Sequence, residues 1–182
     1  MTVRIEGIPV IETARLRLRG PRAADFPAVR DFLASERAAG VGGPYSTHVA
    51  WRAFGHLTGH WVLRGYSMFI LADRASDRPL GMSGPWFPET WPEPEIGWTL
   101  WDPAAEGTGL AFEGAQAARA WAYETLGWTT AISLISEDNP RSQALARRMG
   151  CTPEAGFHRF DGGETARIWR HPGPNSLARG AQ

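Results

Sequence analysis

The stretch from Asp102 to Cys151 constrains this chain more than any other. Asp102-Pro103 breaks a hydrophobic run and Glu106-Gly107-Thr108-Gly109 follows, leading into Leu110 to Leu126, whose Ala, Gln and Arg content favours helix. A glycine-flanked turn therefore feeds a helix N-terminus. The first turn of a helix carries unpaired N–H groups at the positive end of its dipole, and glycines let that backbone come close to a ligand. Such a turn suits a phosphate group, although Gly-x-Gly before a helix is also an ordinary turn. Behind the helix come a strand-like run, Thr129 to Ile135, then Asp138-Asn139-Pro140-Arg141-Ser142, a short helix to Arg148, and Met149-Gly150-Cys151.

The rest of the chain alternates between strand and helix spacing. Arg15-Leu16-Arg17-Leu18-Arg19 has the period-two pattern of a half-buried strand, stopped by Gly20-Pro21. From Arg22 the apolar residues Phe26, Val29, Phe32 and Leu33 fall on one helical face, and Gly40 to Pro44 is a loop. Trp51, Phe54, Leu57 and Trp61 predict a second helix over 47–64, which Gly55 and Gly59 weaken. Met68-Phe69-Ile70-Leu71 and Leu80-Gly81-Met82 read as a hairpin. Three prolines in Trp86 to Pro94 exclude an interior strand. Glu95 to Trp101 is the next strand, with Ile96, Trp98 and Leu100 on one face and Glu95, Gly97, Thr99 and Trp101 on the other. Thr152 to Phe160 and Thr165 to Arg170 pair across Asp161-Gly162-Gly163, and 171–182, rich in Gly, Pro and Ala, reads as a frayed tail. The fold class is α/β, of the α+β type: a mixed, mostly antiparallel sheet flanked by helices.

At 182 residues the chain is the size of one domain, 1–182. Lys plus Arg number 19 and Asp plus Glu 19, so no overall field draws it to nucleic acid or an anionic membrane. A single cysteine excludes an intrachain disulfide framework and fits a reducing cytoplasm, and no apolar run spans a bilayer. Cytoplasmic placement is the expectation. Nine tryptophans, several beside Pro or Gly, supply either core or an aromatic-lined pocket. His56 and His60 lie four apart on a helix but lack the Glu of a zinc-protease helix and a third ligand, so no metal is expected.

Gly107-x-Gly109 with Glu113, then helix, strand, Asn139-Pro140-x-Ser142 and Met149-Gly150, resembles the coenzyme A core of the GNAT superfamily of acetyltransferases. The resemblance is nearest to the RimJ/RimL-like branch, whose opening strand Ile11 to Leu16 and central strand Glu95-Ile96-Gly97-Trp98 also match. It implies a splayed GNAT sheet, acetyl-CoA as co-substrate and an amine acceptor acetylated by direct attack in a ternary complex. The acceptor is a protein N-terminus or a small-molecule amine, and a homodimer is left open. Backbone from Glu106, Gly107, Thr108, Gly109, Leu110 and Ala111 would hold the pyrophosphate, and the strand end at Leu100 and Trp101 would align the pantetheine. Asn139 would bond near the acetyl arm, or else be a turn residue before Pro140. Ser142 would face the departing sulfur, or else begin a helix.

A base is needed because an alkylamine is mostly protonated at neutral pH. Glu95 is the first candidate, against a solvated strand-end charge, and His158 the second. Cys151 as nucleophile finds no partner His in the sequence, and Glu113 reads as a brace. Ala104 stands where many relatives carry Gln or Arg, Thr108 replaces a frequent basic residue, and Glu106 adds negative charge beside the phosphate turn. The alternative is therefore a non-catalytic ligand-binding or interaction protein on the same fold.

Overall fold

The computed structural model describes residues 5–180. The alternating leucines form β2 (Leu16–Arg19), which pairs with the short β1 (Ile11–Glu12) and buries Leu16 and Leu18 completely. Arg19, also buried, survives there because Asp25 takes two of its N–H groups at 2.8 Å and Asp77 a third. Six more strands follow: β3 (Phe69–Asp73), β4 (Pro79–Trp86), β5 (Glu95–Leu100), β6 (Ile132–Ile135), β7 (Thr152–Arg159) and β8 (Thr165–Arg170). Their order across the sheet is β1-β2-β3-β4-β5-β6-β8-β7, antiparallel except where β5 meets β6. This is the mixed, mostly antiparallel sheet expected from the sequence.

Alternation along β3 assigns the helices to opposite faces. Ile70 packs with α1 (Phe26–Leu33) and α2 (Thr47–Arg64) through Val29, Phe32, Phe54 and Leu57. Phe69 and Leu71, pointing the other way, meet α3 (Leu110–Thr125) at Ala118. Gly114 lets α3 close onto the sheet, since a Cβ there would lie 2.6 Å from a Leu71 methyl. The α4 helix (Pro140–Arg148) packs with β6 and β8 around Ile135, Ala146 and Trp169. Gly55 and Gly59 do not break α2, because each faces open space and the buried side of the helix is intact.

The sheet parts between β5 and β6. These parallel strands share a single register pair, Glu95 with Ile132, and then diverge. Side chains occupy the place of the missing ladder. The Leu134 N–H donates to the Glu95 carboxylate at 3.0 Å, and the Ser133 hydroxyl donates to the Ile96 carbonyl at 2.7 Å. Both groups would pair across the strands in a continuous sheet. Satisfied by side chains instead, they let the strands separate without leaving buried polar groups unmade.

The frayed tail expected over 171–182 is not what the structure contains in its described part. His171 is buried, its N–H donates to Ala131, Tyr123 donates its hydroxyl to the Pro172 carbonyl, and Leu177 of a fifth helix, α5 (Pro174–Gly180), packs against the cluster of Ile96, Ala122, Tyr123 and Ala131. Tertiary contacts override a composition that favours fraying; residues 181–182 lie outside the described residues. No described helix is long and apolar enough to cross a membrane.

Candidate active site

The divergence of β5 and β6 opens a cleft of about 1340 Å³ that runs from the α1–α2 face of the sheet to the N-termini of α3 and α4. Glu95 sits at its apex, 7% exposed, on the face shared with Trp86 and Trp101. One carboxylate oxygen accepts from Leu134 N–H and the other from the Trp91 indole N–H. Burial pushes its pKa up to about 7 even though both hydrogen bonds favour the charged form. It is thus no solvated strand-end charge. A carboxyl poised near neutrality and facing a cleft can hold or release a proton at physiological pH.

A chain of buried polar groups fixes this apex from behind. Arg119 donates to Met149 O at 2.8 Å and lies 3.3 Å from His171 Nδ1, and His171 Nε2 lies 2.9 Å from Ser133 Oγ, which in turn donates to Ile96 O. Because Arg119 can only donate, His171 carries its proton on Nε2 and gives it to Ser133. Burial, reinforced by the charges of Arg119 and Arg170, lowers the His171 pKa to about 3, so the ring stays neutral. Every hydrogen bond in the chain has one consistent direction.

At the opposite end of the cleft the glycine turn has the geometry its sequence requires. Gly107 and Gly109 have φ of 73° and 85°, the left-handed region, and Gly109 is the N-cap of α3 with no side chain capping the helix. The N–H groups of the first turn are left to the cleft. Arg15 fixes the turn from outside, donating to Thr108 O at 2.9 Å and to Glu113 at 2.7 Å; Thr13 also bonds Glu113 at 2.6 Å. Burial raises the Glu113 pKa, but these bonds outweigh it and hold the group below its usual range. Glu113 is the brace the sequence suggested. Glu106 does not stand as a lone negative charge beside the turn: Arg37 and Arg141 both pair with it.

A family model described as an acetyltransferase (GNAT) domain matches residues 15–152. The chain belongs to the GNAT acetyltransferase family. An acetyltransferase from Agrobacterium tumefaciens str. C58 is 37% identical, with a TM-score of 0.83 over 94% of this chain and 98% of that one. A Bordetella pertussis protein assigned to the same family is 26% identical, with a TM-score of 0.75 over 90% and 99% of the two chains. RimL, a ribosomal L7/L12 α-N-protein acetyltransferase, in complex with coenzyme A, is 19% identical with a TM-score of 0.71 over 90% and 98%, a likeness of fold. No curated protein matches.

Within this GNAT fold the remaining residues named from sequence divide clearly. The Ser142 hydroxyl lies in the cleft and accepts from Trp98 Nε1 at 3.2 Å. Asn139 is the N-cap of α4, its carbonyl oxygen accepting from Ser142 N–H at 3.0 Å, so only its amide nitrogen, beside Gly40, is left for a ligand. The capping oxygen and the nitrogen without a side-chain partner are therefore different atoms of one amide. Trp101 is engaged at both main-chain groups: its N–H donates to Leu80 O at 2.8 Å and its carbonyl accepts from Arg37. Antiparallel register then turns residues 99, 97 and 95 toward β4, and Trp98 and Leu100 toward the gap. Leu100 O is taken by Arg37 at 3.1 Å, which leaves Leu100 N–H and both groups of Trp98 to face the cleft.

His158 packs against Phe160 at 4.6 Å and Trp91 at 6.0 Å and is not among the residues that line the cleft. His60 is engaged at both ring nitrogens, Nδ1 with Tyr66 O at 2.6 Å and Nε2 with Phe87 N–H at 3.4 Å, and no cluster of three metal-ligating side chains occurs among the described residues. Cys151 is buried, and burial pushes its thiol up to about 11, which suits packing and not nucleophilic attack. Sequence reasoning missed Arg37, Trp91, Trp98, Arg119, Ser133 and His171. Trp98 alone left a signal, the period-two position that faces it away from Glu95.

Proposed function

We propose that this GNAT protein is a cytoplasmic acetyl-CoA-dependent N-acetyltransferase of the RimJ/RimL-like branch that acetylates a primary amine by direct attack. The observation that carries it is Glu95, a carboxyl with a pKa of about 7 at the apex of the same cleft that holds the glycine turn and Ser142. The residues present fit the donor. Two left-handed glycines and an uncapped helix start offer backbone N–H groups to a pyrophosphate, Arg148 lies beside Gly109, and Glu106 is neutralised by its arginines. The donor brings an activated thioester whose sulfur leaves as thiolate.

In this reading the main-chain groups of Trp98 and the Leu100 N–H align the donor arm. Glu95 as carboxylate takes a proton from the acceptor ammonium, freeing the nitrogen lone pair to form the N–C bond as the C–S bond breaks, and the second proton that the nitrogen then sheds ends on the departing thiolate. The Ser142 hydroxyl, held by Trp98 Nε1, gives a hydrogen bond to the sulfur; a thiolate leaving group needs no stronger acid. The branch rests on the motifs Ile11 to Leu16 and Asn139 to Ser142, and the acceptor class it brings is a primary amine, of a protein N-terminus or of a small molecule.

Calorimetry with acetyl-CoA and a transfer assay over an amine panel test this. The expected result is donor binding and release of free coenzyme A that depends on an amine. Absence of binding at millimolar donor would sink the enzyme reading in favour of an interaction protein on the GNAT fold.

A further inference from the structure

The acceptor end of the cleft has a composition that narrows the amine. On the Glu95 face two aromatic walls flank the carboxyl. Trp86, the register partner of Glu95 on β4, stacks on His60 at 4.6 Å and meets His56 edge-on at 4.9 Å. From the other side Trp91 reaches over Glu95 with its indole N–H and packs on Phe160 at 5.4 Å. Phe54 and Met82 form the apolar floor.

Carboxylates are scarce around these walls. Glu89 pairs with Arg64, Glu93 and Glu154 with Arg170, and Glu106 with Arg37 and Arg141. Glu164 lies exposed at the rim, on the turn between β7 and β8. Glu95 is thus the one buried carboxyl the lining offers. His56 adds no charge near neutrality, since burial first and the neighbouring His60 second push its pKa down.

One ammonium can enter such a site, attracted by Glu95 and by the faces of the tryptophans. A second ammonium held between the tryptophans would be desolvated against aromatic carbon, which is strongly unfavourable, and the exposed Glu164 carboxylate at the rim attracts it only in water, where screening weakens the pull. Peptide N–H and C=O groups would meet the same apolar walls, whereas a flat hydrocarbon body fills them by contact.

Resting on the N-acetyltransferase reading above, we infer that the acceptor is a small primary amine with a single positive charge on a planar apolar body, seated between Trp86 and the Trp91–Phe160 pair with its nitrogen at Glu95. Polyamines, aminoglycosides and peptide N-termini are poor acceptors in this site.

The experiment compares kcat/KM, by coenzyme A release from the full-length protein, for tryptamine, 2-phenylethylamine, spermidine, kanamycin and a hexapeptide beginning with Ser. The two arylalkylamines are expected to exceed the others by about tenfold or more, the range over which hydrophobic pockets discriminate. Phe160→Ala should raise KM for tryptamine several-fold with kcat unchanged, and Trp91→Phe, which keeps a ring but loses the N–H to Glu95, should lower kcat with KM little changed. Calorimetry with acetyl-CoA separates the two levels. Bound donor with a faster polyamine, aminoglycoside or peptide overturns the inference and leaves the transferase reading standing. Bound donor with no turnover on any arylalkylamine, or a tryptamine KM unmoved by Phe160→Ala, overturns it as well. No donor binding overturns the reading beneath it.

Discussion

At one end of the cleft, Gly107, Gly109, Leu110 and Ala111 present backbone N–H groups from a single continuous turn. At the other, Glu95, Trp86, Trp91 and Phe160 come from strands β4 and β5 and two loops far apart in sequence. In the proposed function the first end would recognise the donor by main chain, which depends on φ, and the second the acceptor by side chain, which depends on burial. Mutations should therefore act on the two ends through different observables, donor affinity in one case and turnover, pH dependence and stability in the other.

The sharpest way to break this division is Glu95→Gln. Loss of a positioned base lowers kcat by about 10²–10⁴-fold, with donor affinity unchanged. The wild-type rate should rise with pH through about 7, as Glu95 loses its proton, and the variant should lack that limb. A retained apparent pKa would move the base elsewhere, with His158 the next to test.

Next in size is the polar chain behind the apex. His171→Ala leaves Ser133 and Arg119 short of a partner in a buried setting, which costs about 1–3 kcal/mol. At about 2–4 °C per kcal/mol for a chain of this length, the melting temperature should drop by several degrees. The pH dependence has two opposing parts. Glu95 keeps its proton to higher pH folded than unfolded, so its ionisation destabilises the fold as pH rises from the ordinary carboxylate range to about 7. His171 takes a proton only near pH 3 when folded but near ~6.5 when unfolded, so its contribution is complete above about 6.5 and is lost as pH falls toward 3. Glu95→Gln should remove the fall in melting temperature between the ordinary carboxylate range and about pH 7, and His171→Ala the rise between about pH 3 and 6.5, so the two variants tilt the curve in opposite directions where those windows overlap. If neither slope changes, the apex is not set by these two groups.

Smaller effects belong to the donor end and its neighbour. Ser142→Ala should lower kcat about tenfold with the donor dissociation constant unchanged, the pattern of a bond made in the transition state. Glu106→Gln frees Arg37 and Arg141 beside the glycine turn and should tighten acetyl-CoA a few-fold, more at low salt than at high. Equal affinities at both ionic strengths would show that these charges do not reach the phosphates.

The shape of the glycine-turn end was legible in sequence because its parts are local. Glycines at fixed spacing before a helical run report a backbone shape, and Asn-Pro-x-Ser reports a cap whose residues are three apart. The other end was legible as Glu95, from the alternation of its strand, and as an aromatic lining whose members the tryptophan count did not single out. That the Glu95 carboxyl replaces a ladder bond to Leu134, and that Ser133 does the same for Ile96, depends on where β6 lies, which no local pattern encodes. Arg119 and His171 were unreadable for the same reason: they are 52 residues apart and meet only across the finished core. The tail was misjudged because Gly, Pro and Ala speak to helix propensity, while Tyr123 and Ala131 supply its anchorage.

The insertion of β8 between β6 and β7 has a consequence for how the protein is made. On the ribosome β6 is finished at Ile135, but its outer partner begins only at Thr165, thirty residues later (165 − 135), or roughly 1.5–6 s at ordinary elongation rates. Through that interval the nascent chain exposes a strand edge carrying Ser133 and Leu134, and His171 does not yet exist to align it. An exposed edge is open to pairing with another chain. The apex around Glu95 is therefore completed only after β8 and His171 have been made, and translation pauses between Ile135 and His171 are where misassembly should concentrate.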